Sequence, residues 1–197
     1  MEYVIGQTLN VKRTTSPGTA TIRAGAKLKG NTRIVTGYCS VFGNVDQGDD
    51  VVVPGAFKKA IADFNAGRSR CRFLWNHDSS EPPIARIIEL KEVGRDQMPA
   101  EYRSLIDVSG ALQITREYFT DAYSETVYQG VASKAVSEMS FAYNVLDFEY
   151  KDVRGKKVRL LKSVELMDAS DVNWGMNPAT MGSIKGAVCL LRHESSN

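Results

Sequence analysis

Apolar and polar positions change rhythm several times along the chain, and each change marks an element. Arg33 to Phe42 is rich in β-branched and aromatic residues and predicts a strand. Gly43 to Asp50 is a turn-rich acidic loop, and Val51-Val52-Val53 is a short apolar run. Pro54 is placed for the first turn of a helix. Ala56, Phe57, Ala60, Ile61 and Phe64 then repeat at helical spacing, with Lys58, Lys59 and Asp63 on the outer face and Gly67 as the stop.

Cys71 to Trp75 reads as a strand, Pro82-Pro83 as an extended turn and Ile84 to Val93 as another strand. Gly94 to Glu101 is loop-like. Ser104 to Thr115 predicts a strand pair or one bent strand with Gly110 at a bulge. Asp121 to Ala135 has helical periodicity with Thr120 as its N-cap. Val136 to Tyr150 and Val158 to Val172 are strands around a turn centred on Arg154-Gly155-Lys156. Asn173 to Met181 is turn-rich, and a short strand is expected around Ala187 to Leu191. The sum is an α+β domain with many antiparallel strands and two helices.

Residues 1–30, rich in Thr, Gly, Lys and Arg, read as a flexible N-terminal arm. The domain is expected over 31–192, with a polar tail at 193–197. At 197 residues the chain fits one domain, and 43% hydrophobic with 24% charged residues can supply a sizeable core. The net charge of +2 predicts no strong attraction to nucleic acid or membrane surfaces. No apolar run approaches the roughly 18 residues of a membrane span, and the N-terminus lacks a signal peptide's apolar core.

Cys39, Cys71 and Cys189 are scattered and form no C-x-x-C pair. They read as small hydrophobic residues in a reducing cytosol, without a zinc site or a disulfide framework. The acidic loop Asp46 to Asp50 departs from calcium-loop spacing, so a solvated loop is expected there and no metal or cofactor is called for.

The chemistry narrows through the histidines, of which the chain has two. His193 lies in the polar tail, where nothing would fix its ring. His77 stands where the apolar run Arg72-Phe73-Leu74-Trp75 gives way to the polar turn Asn76-His77-Asp78, at the rim of a core. An imidazole there can serve as a general base near neutral pH. Ser140 lies mid-strand and shares parity with Glu138, Ala142 and Asn144, while Met139, Phe141, Tyr143 and Val145 form the core-facing side. Asp168 shares parity with Leu160, Val164, Leu166 and Val172, an apolar face where a carboxylate needs a partner. Glu165, of opposite parity, is the second choice of acid. Nothing in the pattern alone joins these residues, and taken alone a strand serine or a strand-end histidine is more often structural.

The wording of six segments adds to this. They are Gly37 to Asp46, Val52-Val53-Pro54-Gly55-Ala56-Phe57, Leu74 to Asp78, Glu138-Met139-Ser140-Phe141, Glu165 to Val172 and Asn177-Pro178-Ala179. In this order they resemble the tailed-phage prohead (capsid maturation) protease family. The resemblance implies a serine endopeptidase with a herpesvirus-assemblin-like fold, a mostly antiparallel β-barrel ringed by helices. The family's histidine falls on His77 and its serine on Ser140. The family's usual acid is a glutamate, and Asp168 stands at that position one methylene shorter, so the third member is Asp168 or Glu165.

By the same resemblance, the substrates are the scaffolding region of the major capsid protein and the protease's own chain. The place of action is the assembling prohead in the host cytoplasm, and the resemblance also suggests a homodimer. A non-catalytic capsid assembly or scaffold protein on the same fold is the alternative. A metal hydrolase is disfavoured, since His77 has neither an i+4 histidine nor a nearby cysteine pair.

Overall fold

A computed structural model of the chain describes residues 33–46, 48–103, 107–153 and 155–174. The expected arm, the polar tail, the strand around 187–191 and most of the 173–181 turn lie outside the described residues. The elements in order are β1 (Ile34–Phe42), β2 (Asp50–Val52), α1 (Lys58–Asn65), β3 (Arg72–Trp75), β4 (Ala85–Gly94), α2 (Ala100–Arg103), β5 (Gly110–Tyr118), α3 (Ala122–Ala132), β6 (Glu138–Val153) and β7 (Lys156–Val172). The architecture is mixed α and β, mostly sheet, with α1 and α3 as the two substantial helices.

Among the described residues seven strands form one curled half-barrel sheet. Its order is β1-β5-β4-β3-β7-β2, and β6 runs along the other side of β7. Strand β7 is the spine. It takes β6 antiparallel over nearly its whole length, and takes β2 and β3 in parallel at Arg159–Leu161 and Asp168–Asp171. Those parallel pairings arise because β2, α1 and β3 form a crossover, which returns the chain in the same direction. The curl brings β1 toward β6, where the Cys39 thiol donates to the Ser140 carbonyl at 3.3 Å. The inner face is filled by Phe42, Phe57, Phe73, Leu112, Phe141 and Leu161, each at most 1% exposed.

Several local expectations are corrected. Pro54 does not enter α1, because Gly55 adopts φ +96° and the helix begins only at Lys58. The first donors there are met from another strand: Glu92 on β4 accepts from the Gly55 and Phe57 backbone N–H groups at 2.8 and 2.9 Å. Gly67 takes φ +68° just past the helix, as its stop. The 94–101 loop contains a 3₁₀ turn at Arg95–Gln97 and runs into the single-turn α2. Gly110 is no bulge, since it pairs in register with both Phe42 and Gly94. A Cβ there would lie 2.5 Å from the Val93 carbonyl oxygen, so the close approach of strands explains the glycine. The N-cap of α3 is Asp121, one residue after Thr120. Its carboxylate accepts from the Tyr123 and Ser124 N–H groups at 3.1 and 3.0 Å.

The acidic loop is also less solvated than expected. Asp50 is 1% exposed at the start of β2, accepts from Arg159 at 2.8 and 2.6 Å, and accepts from the Tyr143 hydroxyl at 3.2 Å. Asp46 folds back to accept from the Gly48 and Asp50 N–H groups, both at 2.8 Å. The Asp46 and Asp50 carboxylates thus already accept from the protein.

Candidate active site

Strand β7 and its two neighbours bring the candidate residues together. Ser140 on β6 lies opposite Ser170 on β7, and Ala142 lies opposite Asp168. Strand β3 sets Arg72 beside Asp168 and Leu74 beside Ser170. Residues directly paired across a ladder point to the same face, so Ser140, Ser170 and Asp168 share one face. It is the outer face, because Phe73, Met139, Phe141 and Ala169 of alternate parity fill the core.

Simple alternation places Asp168 with Leu166, and the structure separates them. Tyr143 pairs with Leu166 while Ala142 pairs with Asp168, so Met167 is an extra residue on β7. This β-bulge resets the alternation, leaving Leu166 in the core and turning Asp168 to the Ser140 face. Met167 itself is 39% exposed.

His77 reaches the same place by a tight turn. Asn76 and His77 both have positive φ, 51° and 59°, and the Asp78 N–H donates to the Trp75 carbonyl at 2.9 Å. Two left-handed central residues closed by that bond form the pattern of a type I′ turn. Asparagine and histidine are among the non-glycine residues that best tolerate it. Bonds back to β7 and beyond hold the turn: Asn76 N–H donates to the Asp171 carbonyl at 2.9 Å, and the Asn173 N–H donates to Asn76 Oδ1 at 3.0 Å.

The turn lays the imidazole over Asp168. His77 Nδ1 lies 2.6 Å from Asp168 Oδ1, with the two side chains only 7% and 14% exposed. An ionised carboxylate only accepts, so the ring nitrogen beside it carries the proton and Nε2 is left with its lone pair free to accept one. Among the described residues His77 Nε2 is buried and has no hydrogen-bond partner. The Ser140 hydroxyl is likewise buried and without a partner among them, in a residue 2% exposed. Ser140 therefore occupies the face expected for it but is more buried than a semi-exposed strand position, and no hydrogen bond joins it to His77 in this structure. Glu165 is exposed and accepts from Asn144 at 3.1 Å, while the carboxylate against the imidazole is that of Asp168.

Sequence reasoning passed over Ser170. Its hydroxyl donates to Asp168 Oδ1 at 2.9 Å, accepts from the His77 backbone N–H at 3.2 Å and lies 3.4 Å from His77 Nδ1. It faces the nitrogen already held by Asp168, which sets it apart from a nucleophile that must meet Nε2. Its place two residues beyond Asp168, on the same strand face, was the available signal. On the opposite face of β7, Arg116 donates to Asp171 at 2.5 Å with both side chains fully buried, and the Tyr118 hydroxyl also donates to Asp171. Burial is the largest influence and opposes the Arg116 charge, but the Asp171 carboxylate, Tyr118 and their hydrogen bonds together outweigh it and hold the guanidinium above its ordinary range.

Nearby thiols feel the same surroundings. Burial, followed by the Asp168 charge, pushes Cys71 up to about 12. Burial also pushes Cys39 well above the usual thiol range. Neither thiol is poised as a nucleophile. Among the described residues no group of histidine, cysteine and acidic side chains is arranged to hold a metal.

A strand serine, a buried imidazole and a carboxylate on its far nitrogen are the parts of a serine hydrolase. The comparisons give that class a family. Over residues 20–188 the chain matches the caudovirus prohead serine protease family, and it belongs to that family. It is also 35% identical over 89 residues to the prohead protease of Enterobacteria phage HK97, a match covering 43% of this chain and 38% of that protein. The aligned part thus spans well under half of the curated relative. No solved structure matches the chain significantly.

Proposed function

We propose that the chain is the serine endopeptidase of a phage prohead, cutting the scaffolding region of the major capsid protein, and its own chain, as the capsid matures. The carrying observation is the 2.6 Å contact between His77 Nδ1 and Asp168, with Nε2 buried and unpartnered and, on the sheet face of Asp168, a buried and unpartnered Ser140 hydroxyl. Membership of a serine peptidase family that serves the prohead supports the reaction and the setting.

In this reading Ser140 Oγ attacks a peptide carbonyl carbon while its proton passes to His77 Nε2. The tetrahedral adduct collapses, the C–N bond breaks and the same proton goes to the leaving amine. Water then repeats the cycle on the acyl-enzyme and restores Ser140. Asp168 holds the ring in the tautomer that can accept at Nε2 and stabilises the imidazolium. Substrate entry must bring Ser140 Oγ within about 2.6–3.2 Å of Nε2. The herpesvirus-assemblin-like barrel, the homodimer and the prohead interior of the host cytoplasm belong to this proposal. No helix among the described residues is long and apolar enough to cross a membrane.

The missing Ser140–His77 hydrogen bond favours one rival, an assembly or scaffold protein that keeps the fold without the chemistry. Co-expression with the same virus's major capsid protein, followed by intact mass, separates the two. The wild type is expected to trim the capsid protein at one site, while Ser140→Ala and His77→Ala leave it whole. Capsid protein left intact by all three, yet assembled with them, would put the scaffold ahead.

A further inference from the structure

We infer that Ser170 is a fourth, positioning member of the site, and that its hydroxyl fixes both the Asp168 carboxylate and the His77 turn. The inference rests on the His77–Asp168 pair of the proposed function and goes beyond the three residues named there. Three contacts converge on one oxygen. Ser170 Oγ gives its single proton to Asp168 Oδ1 at 2.9 Å and accepts the His77 backbone N–H at 3.2 Å, and His77 Nδ1 lies 3.4 Å away.

A serine hydroxyl has one proton, so donation to Asp168 leaves only its lone pairs for His77. It can accept from the His77 backbone but cannot also donate to Nδ1. Its proton and the imidazole's therefore both converge on Asp168 Oδ1, which keeps that oxygen an acceptor and Nδ1 the protonated nitrogen. The backbone bond matters for a second reason. His77 sits at φ +59°, a costly conformation for a residue with a side chain, and it persists only where the surroundings hold it. Ser170 is itself 0% exposed and locked in β7 between β6 and β3, so it is a rigid post for both contacts. It is also the direct ladder partner of Ser140, so the post stands beside the proposed nucleophile.

Alanine would remove the donor to a charged acceptor and the acceptor for a strained backbone N–H. The loss of one hydrogen bond to a charged group corresponds to roughly a tenfold to hundredfold fall in kcat, with KM within about twofold. Threonine keeps the hydroxyl, and valine has threonine's shape without it. Comparing Ser170→Thr with Ser170→Val therefore isolates the hydroxyl even if Ser170→Ala folds poorly.

The test is ¹⁵N NMR of histidine-labelled full-length protein carrying Ser140→Ala, which needs no substrate. With two histidines in the chain, His77→Gln assigns the signals. With Ser170 present, His77 is expected in the single Nδ1–H tautomer with a slowly exchanging Nδ1 proton. Ser170→Ala and Ser170→Val should mix the tautomers and speed that exchange at least tenfold, while Ser170→Thr restores both. A purely structural role would lower thermal stability and leave the tautomer and the exchange untouched, and that result overturns the inference. So does a Val variant that matches Thr. Cleavage of the capsid protein is read separately in the Ser140 background. A wild type that never cleaves, yet shows the Ser170-dependent tautomer, sinks the peptidase reading and leaves this one standing.

Discussion

Arg116 and Asp171 form an ion pair at 2.5 Å with both side chains at 0% exposure, directly behind the strand face that carries Asp168. The guanidinium also lies over the Phe73 ring at 4.6 Å and receives Tyr118 as a neighbour at its Nε, 3.0 Å away. Asp171 uses its backbone as well, since its carbonyl holds the Asn76 N–H at the base of the His77 turn. One residue thus anchors the core to the turn. Removing one member strands the other charge in a low-dielectric core, a loss of about 3–5 kcal/mol. Arg116→Met and Asp171→Leu are each expected to lose that much in urea unfolding. The double variant should recover a large part of it, because replacing a buried pair by apolar residues is often neutral. Additive losses in the double-mutant cycle would show that the pair is not coupled.

Ser140 carries an opposite signature, stability traded for chemistry. Its hydroxyl is buried and unpartnered, which costs about 1–3 kcal/mol relative to a satisfied group. Ser140→Ala should therefore abolish cleavage while raising stability by about 1 kcal/mol, or roughly 2–4 °C in Tm. Calorimetry on the two proteins decides it. A variant less stable than wild type would mean that the hydroxyl has a structural partner.

Most strands and both long helices were legible because their periods are carried by the residues themselves, although β5 runs Gly110–Tyr118 and not from Ser104. Val35, Val41 and Phe42 or Val127 and Val131 announce a face wherever they stand. The candidate site was only partly so. His77 was found because imidazoles are scarce here and this one ends a strand. The Ser140 face followed from Met139, Phe141 and Tyr143 pointing inward. What failed was counting across a bulge: Met167 resets the alternation, and no side-chain preference marks an extra residue in a ladder. Ser170, Asn76 and the Arg116–Asp171 pair were invisible for a related reason. Their meaning lies in contacts between segments as much as 97 residues apart, which no local pattern encodes.

Asp168 can be tested through a neighbour as well as through activity. Asp168→Asn should cost about 10⁴ in kcat, because the amide can donate and so no longer selects the Nδ1–H tautomer. Asp168→Glu keeps the charge and should retain more activity than the amide. Independently, the Asp168 charge is the second cause, after burial, of the raised Cys71 thiol at about 12. Neutralising it must lower that value and increase the thiolate, the form that reacts. Iodoacetamide labelling at pH 8, read by peptide mass, should be faster at Cys71 in Asp168→Asn than in wild type. An equal rate in both would mean that the carboxylate is not ionised beside the thiol.

Asp121 gives a pH dependence whose sign can be worked out. The Ser124 backbone N–H first, and more weakly the Tyr123 N–H, lower its carboxyl below the ordinary 3.8. The unfolded chain lacks these donors and binds the proton more readily, so between the lowered value and about 4 unfolding takes up protons and stability rises with pH. The cap's contribution is thus complete above the unfolded value and disappears as pH falls through the folded one. In urea unfolding at pH 7, 5, 4 and 3, Asp121→Ala should be less stable than wild type at pH 7 and 5, with the gap closing below pH 4. Asp121→Asn keeps a capping oxygen without a titrating proton, so its stability should lack that part of the acid-side decline. A gap between wild type and Asp121→Ala that stays constant from pH 7 to 3 would mean that the carboxylate's charge contributes nothing to holding the first turn of α3.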